Sequence, residues 1–351
     1  MISRRAILRA VPMFAMATEA RALAPAAIRF PRDHGAHPDL RTEWWYITGR
    51  LLAGDREFGF QVTFFRSRVD ATQAMHSKFA AKQLVFAHAA ITDVGAKRMW
   101  HDQRIAREGF GVATASTGDM QLKLHDWSLV RDAGDVLATT IPASEFTLDL
   151  RCRATQAPLL QGDKGLSRKG PLADEASYYY SEPQLAVEGG VVLGGRRVAV
   201  KGRAWLDHEW SDELLDPSAV GWDWIGMNLD DDSALTAFRL RRADGSTLWD
   251  GGSFRAPGHE PYIFSRGEVI FRPRRHWTSP LSQASYPVEW TVRTPADFYT
   301  VSAVLDNQEL DSRASTGAIY WEGLARLVDS NGRRVGNGYL EMTGYAKRLR
   351  L

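Results

Sequence analysis

Phe58-Gly59-Phe60-Gln61-Val62-Thr63-Phe64 places a large apolar side chain at every second position and small or polar residues between them. A strand points successive side chains to opposite faces, so this stretch buries one face and wets the other. The same period runs outward in both directions. Met120, Leu122 and Leu124 alternate with Gln121, Lys123 and His125, and Phe146, Leu148, Leu150 and Cys152 alternate with Thr147, Asp149 and Arg151. Turn signals such as Gly54-Asp55, Gly194-Gly195, Asp244-Gly245 and Asn331-Gly332 separate the runs. In the second half, eight strands are predicted at 222–229, 234–241, 247–254, 267–272, 287–294, 298–305, 317–328 and 336–347. The first half yields 43–52, 57–66, 83–93, 104–115, 119–130, 144–153, 176–193 and 197–210. Sequential antiparallel strands in these numbers suit two closed up-and-down barrels, because closure removes exposed edges. A barrel of this size holds one small ligand. No amphipathic helix longer than three turns is evident; 70–82 and parts of 155–175 read as loops or short helices.

Composition agrees with this class. The 351 residues imply about two domains, and 44% hydrophobic with 25% charged residues is a globular profile. Twelve Trp, fifteen Phe and ten Tyr supply apolar area for cores or a cavity. The net charge of +2, without a long basic run, argues against nucleic acid as a partner. The lone Cys152 excludes an internal disulfide and a Cys-based zinc site, and its place in an alternating strand predicts a buried inert thiol. Ser3-Arg4-Arg5-Ala6-Ile7-Leu8, a short apolar stretch, and Ala22-Leu23-Ala24 together read as a twin-arginine export signal over 1–24. The expected location is therefore the bacterial periplasm or the medium.

Four clusters carry chemistry. Glu43-Trp44-Trp45-Tyr46 opens the first strand, with its tryptophans on opposite faces: one can plug the barrel floor while the other meets a second domain. His88 shares a face with Leu84 and Phe86, as a core histidine or one that presents a nitrogen to a ligand. In Ala204-Trp205-Leu206-Asp207-His208-Glu209-Trp210, parity sets Trp205, Asp207 and Glu209 opposite Leu206, His208 and Trp210. A carboxylate walled by indoles is desolvated and tends to stay protonated, as a general acid must. The bland alternative is a polar strand end pinned by hydrogen bonds. In Gly221-Trp222-Asp223-Trp224-Ile225-Gly226-Met227, Asp223 falls on the apolar face of Ile225 and Met227 and needs a partner, a positive group such as His208 or a backbone N–H, unless it is catalytic. Asp207, His208 and Asp223 are thus the catalytic candidates. Glu43, Trp45, His88, Trp205, Trp210, Trp222 and Trp224 are the ligand-binding candidates. No zinc-binding HExxH helix, phosphate loop or GxSxG elbow is present, and no metal is expected.

Phe30-Pro31-Arg32-Asp33-His34-Gly35, Glu43-Trp44-Trp45-Tyr46, the 202–210 cluster, Gly221-Trp222-Asp223-Trp224 and the closing Gly338-Tyr339-Leu340-Glu341-Met342-Thr343-Gly344-Tyr345 together resemble the AttH/CrtC-type lipocalin-like proteins. That group includes carotenoid 1,2-hydratases (hydroxyneurosporene synthases) and exported proteins labelled secreted hydrolases. The resemblance implies an all-β chain of two consecutive lipocalin-like barrels packed together, an N-terminal domain over 28–212 and a C-terminal domain over 213–351. Its hydratase members add water to an isoprenoid double bond without a cofactor. A small hydrophobic molecule is the implied partner, with transient contact to a membrane surface and partnership with an ABC-type transporter as further expectations. A binder without catalysis and a hydrolase remain the alternatives.

Overall fold

The computed structural model describes residues 23, 27–212 and 215–349. The export signal expected over 1–24 lies, apart from residue 23, outside them. The first sheet contains β1 (Thr42–Ala53), β2 (Arg56–Arg68), β3 (Gln83–Asp93), β4 (Arg98–Arg107), β5 (Ala113–Ala115), β6 (Gln121–Leu124), β7 (Trp127–Arg131), β8 (Val136–Pro142), β9 (Phe146–Arg153), β10 (Leu159–Leu160), β11 (Leu166–Arg168), β12 (Ala176–Leu193) and β13 (Arg196–Ser211). The second contains β14 (Ala219–Leu229), β15 (Ala234–Arg242), β16 (Thr247–Arg255), β17 (Tyr262–Ile263), β18 (Ile270–Thr278), β19 (Ser285–Arg293), β20 (Phe298–Ala303), β21 (Glu309–Ser312), β22 (Ala318–Val328) and β23 (Arg334–Met342).

Each sheet is an antiparallel meander whose first long strand pairs with its last: β1 with β13, and β14 with β23. That pairing rolls each sheet into a barrel, and among the described residues the ladder is open only at β4/β5 and at β17/β18. The alternating apolar residues fill the interiors. Trp45, Phe60, Val62, Leu148 and Leu206 lie in the first core, and Ile225, Met227, Trp290, Trp321 and Leu340 in the second. Cys152 is buried in the first core, and burial pushes its thiol up to about 12.

Several details differ from the sequence expectation. The run 104–115 is the end of β4 plus β5, and 119–130 is β6 plus β7. β8 was not expected. Its Val136-Leu137-Ala138-Thr139-Thr140-Ile141 puts two apolar residues together and a threonine inward, and Thr139 satisfies itself by donating to Ser128 O at 2.9 Å, so the period is masked. The loop 70–82 holds a single turn of 3-10 helix (Asp70–Thr72), and 155–175 contributes β10 and β11 to the edge of β12.

The two barrels are cross-linked by polar contacts. A bulge between Glu182 and Leu185 shifts the β12–β13 register, with Gln184 at φ 57°. Bulges re-aim side chains. Here the Gln184 amide donates to Leu229 O and Ser233 O of the second barrel, at 2.9 and 2.8 Å. Asn228 answers by donating to Ala204 O at 2.9 Å. Among the described residues no helix is long and apolar enough to cross a membrane.

Candidate active site

A cavity of about 310 Å³ lies where the outer faces of the two barrels meet. Strand parity builds it. Trp45 and Ile47, Val62 and Phe64, and Val85 and Ala87 point into the first core, so Trp44 and Tyr46, Thr63 and Phe65, and Phe86 and His88 point out and line the cavity. Trp222, Trp224, Phe238, Tyr320, Glu322 and Glu341 line it from the second barrel.

Four carboxyl groups face this apolar space: Asp207 and Glu209 from β13, Glu322 from β22 and Glu341 from β23. Asp207 accepts from Tyr179 Oη at 2.7 Å, Ser181 Oγ at 2.6 Å and Trp205 Nε1 at 2.7 Å. Burial raises its pKa from the ordinary 3.8 to about 7, against the lowering effect of those three donors. Glu209 is neutralised by Lys169 Nζ at 2.8 Å and accepts from Ser177 Oγ at 2.5 Å. Glu322 and Glu341 stand directly opposite each other across the β22–β23 ladder, so their side chains share one face. Burial first, and mutual repulsion with Glu341 second, hold Glu322 well above the usual carboxylate range. Burial raises Glu341 to about 7, while a hydrogen bond from Trp222 Nε1 at 2.9 Å works the other way. Tyr46 Oη and Glu322 Oε1 are buried beside each other, close enough that each shifts the other's titration, and neither meets a further polar partner. A hydroxyl and a carboxyl held only by each other on an apolar wall are a docking point for a ligand hydroxyl or a water.

On the wall formed by β3 and β4, His88 receives a hydrogen bond from Tyr320 Oη at Nδ1, 2.9 Å, and donates from Nε2 to Ser315 Oγ, 2.8 Å. The direction follows from the far end. Gln103 Nε2 donates to Asp311 O at 2.8 Å, which leaves Gln103 Oε1 to accept from Ser315 Oγ at 2.6 Å. Burial lowers the His88 pKa to about 3, so the ring is neutral. The chain ties β3 and β4 to β21 and β22 across the barrel junction.

The sequence-predicted residues fall into two groups. Asp207, His88, Trp222 and Trp224 line the cavity, and Trp205 holds Asp207. Glu43, Trp45, His208 and Trp210 do not reach it. They face the interior of the first barrel, where His208 stacks on Trp45 with ring centroids 4.6 Å apart and Trp210 stacks on His37 at 4.0 Å. Of the tandem tryptophans, Trp44 rather than Trp45 meets the cavity, because β1 turns Trp45 inward. Asp223 is likewise corrected. It points into the second barrel, paired with Arg239 Nε at 2.7 Å and Arg241 Nε at 3.0 Å, and accepts from Tyr345 Oη at 2.9 Å. Its partners are these arginines, not His208, which lies in the other barrel.

His37, Glu43 and His208 present donor atoms all within 4.8 Å of one another. Their geometry is that of a hydrogen-bonded knot. Glu43 Oε1 takes His37 Nδ1 at 2.7 Å and His208 Nε2 at 2.9 Å, while Oε2 takes Arg66 Nε at 2.8 Å. A guanidinium already neutralises the carboxylate that a metal would need. The imidazole donors hold Glu43 below the ordinary carboxylate range despite complete burial, and burial holds His208 down at about 4.

Sequence reasoning missed Glu322, Glu341, Tyr46 and Lys169. A signal for Glu322 exists. It shares its strand face with Tyr320 and Leu324, the same lone-acid pattern that singled out Asp223.

Over residues 21–345 the chain matches the family model described as AttH-like. The crystal structure of a protein from Nitrosomonas europaea assigned as AttH is 45% identical and superposes with a TM-score of 0.86, covering 92% of this chain and 99% of that one. Kievitone hydratase from Nectria haematococca superposes with a TM-score of 0.66 at 14% identity, over 87% of this chain and 89% of that one. CghA does so at 0.52 and 13%, over 93% and 96%. The last two likenesses concern the fold. No curated protein matches the sequence significantly. With the family model spanning both barrels, the chain belongs to the AttH-like family.

Proposed function

We propose that this chain is an exported protein that binds a small apolar, isoprenoid or lipid-like molecule between its barrels and hydrates or isomerises it by acid catalysis. The observation that carries this reading is the opposed pair Glu322 and Glu341, facing the indoles of Trp222 and Trp224, with Tyr46 and Glu322 holding no polar partner but each other. Alkene hydration needs a neutral carboxylic acid at working pH, and Glu322 supplies one. Its proton goes to one alkene carbon, and the π electrons form the new C–H bond. The resulting tertiary cation faces the Trp222 and Trp224 rings, whose negative faces stabilise it. Water then forms the C–O bond, and its surplus proton passes to the Glu341 carboxylate, poised near 7. Transfer from Glu341 back to Glu322 restores the acid. Loss of a proton from the neighbouring carbon instead of water addition gives the isomer.

The fold shared with kievitone hydratase supports the architecture this chemistry uses. A hydrolase reading finds less support, since the Ser315 hydroxyl is committed to Gln103 and His88 donates to Ser315 rather than deprotonating it. A carrier needs the apolar cavity but not four buried acids.

The test is incubation with a lipid extract of the native host in water labelled with oxygen-18. Product carrying the label is expected from the native chain, and none from Glu322→Gln or Glu341→Gln, while both variants still retain apolar molecules through purification. Label incorporated equally by Glu322→Gln would sink the mechanism. No product from any form would leave a carrier.

A further inference from the structure

We propose that an anionic phospholipid surface docks on the β2–β3 and β4–β5 loops beside the cavity, so that the cavity is filled from a bilayer rather than from water. This rests on the proposed function only in that an apolar molecule must reach the cavity.

The outward face of β3 and β4 forms a path in register steps. His88 stands opposite Gln103, Phe86 opposite Ile105, and Leu84 opposite Arg107, running from the cavity to its rim. Ile105 is already 42% exposed. At the rim, Phe79 from the β2–β3 loop and Phe110 from the β4–β5 loop stack at 5.5 Å while 63% and 57% exposed, and Met75 of the same loop as Phe79 is also exposed. Arg107 binds this pair together. Its guanidinium sits 4.1 Å from the Phe110 ring and 5.5 Å from the Phe79 ring, and its Nη1 donates to Phe79 O at 2.8 Å.

The backbone goes out of its way to hold Phe110 there. Phe110 has φ 57°, between Gly109 at 105° and Gly111 at 71°. A bulky residue in the left-handed region is strained, so burial within this chain does not explain the placement.

Charge selects the partner. Lys78, 5.7 Å from the Phe79 ring, and Lys82 are exposed alongside Arg107. Of the nearby acids, Asp70 is paired with Arg68 and Glu108 accepts from the Ala115 amide. Aromatic tips interleaved with cations match an anionic interface, where rings enter the headgroup boundary and cations meet phosphates. Four exposed apolar side chains fall far short of the roughly 20–30 residues a side of a stable protein interface.

The experiment is co-sedimentation of the purified full chain with vesicles of phosphatidylcholine, with or without phosphatidylglycerol. Binding is expected only with phosphatidylglycerol, weakening as salt rises. The double variant Phe79→Ala/Phe110→Gly should bind at least about tenfold more weakly. Phe110→Gly relieves the backbone strain, so unchanged thermal unfolding separates lost docking from lost folding. Independently, Phe110→Cys carrying a polarity-sensitive dye should shift blue on adding the anionic vesicles, the buried Cys152 staying unlabelled. Vesicle binding equal in the double variant, no binding by the native chain, or a dimer that the double variant dissolves would each overturn the proposal. Vesicle docking without turnover in the oxygen-18 experiment would leave it standing while the catalytic reading fell.

Discussion

Asp207 shows how one side chain's environment sets its chemistry. Three donors favour its charged form, and burial outweighs them, leaving a carboxyl poised near 7. The same shift is a statement about stability. The folded chain keeps a proton that the unfolded chain releases near 3.8, so the group's contribution is full below about pH 4 and drains away as pH rises to about 7. Asn carries no such charge. The melting temperature of Asp207→Asn relative to the native protein should therefore rise between pH 5 and pH 8, measured by thermal unfolding in a pH series. A flat or falling difference would show that Asp207 is ionised throughout. Glu43 illustrates the opposite case. Equally buried, it is held below its ordinary range by its imidazole donors, and it pairs with Arg66. Sequence singled out Asp207 as a desolvated acid and Glu43 as a binding candidate, but the sign of each shift depends on partners as far away in the chain as residue 208.

At the level of the element, period 2 does most of the specification. It correctly put Trp205, Asp207 and Glu209 on one face of β13 and Leu206, His208 and Trp210 on the other. It failed on β8, where an inward threonine broke the pattern. The barrel seam depends on a different feature. Gly49 on β1 pairs with Ala204 on β13, and a Cβ at Gly49 would lie 2.5 Å from Arg203 O and 2.6 Å from a Phe60 ring carbon. Only a residue without a side chain lets the first and last strands meet there. Gly49→Ala should destabilise the chain by roughly 1–3 kcal/mol, the usual cost of overpacking, read as a lower midpoint in urea unfolding. An unchanged midpoint would show that the seam has slack.

The whole molecule decides what its parts do. Neither barrel contains the candidate site; each contributes one wall and two of the four acids. Trp44, Trp222 and Trp224 from both barrels line the cavity. An apolar fluorescent probe should therefore quench intrinsic tryptophan emission and raise the melting temperature with its concentration, as mass action requires of a ligand that binds only the folded state. Replacing Phe65 or Phe86, which stack at 4.7 Å on the cavity wall, with Glu should remove both effects. Quenching that survives these changes would place the probe elsewhere.

Most of the strands, their two faces and their division into two closed sheets were legible in the sequence, because inside and outside alternate residue by residue and that period is written locally. It also placed Asp207 among indoles, though Glu322 and Glu341 went unrecognised. Which face became a site was decided only by the packing of one barrel on the other. Asp207 and Asp223 carry the same local signature, yet docking turned the outer face of β13 into a cavity wall, while β14 turned Asp223 inward to two arginines. Glu322 and Glu341 became partners through a strand pairing that no local pattern encodes, because desolvation and charge coupling depend on distance in space and not on distance along the chain.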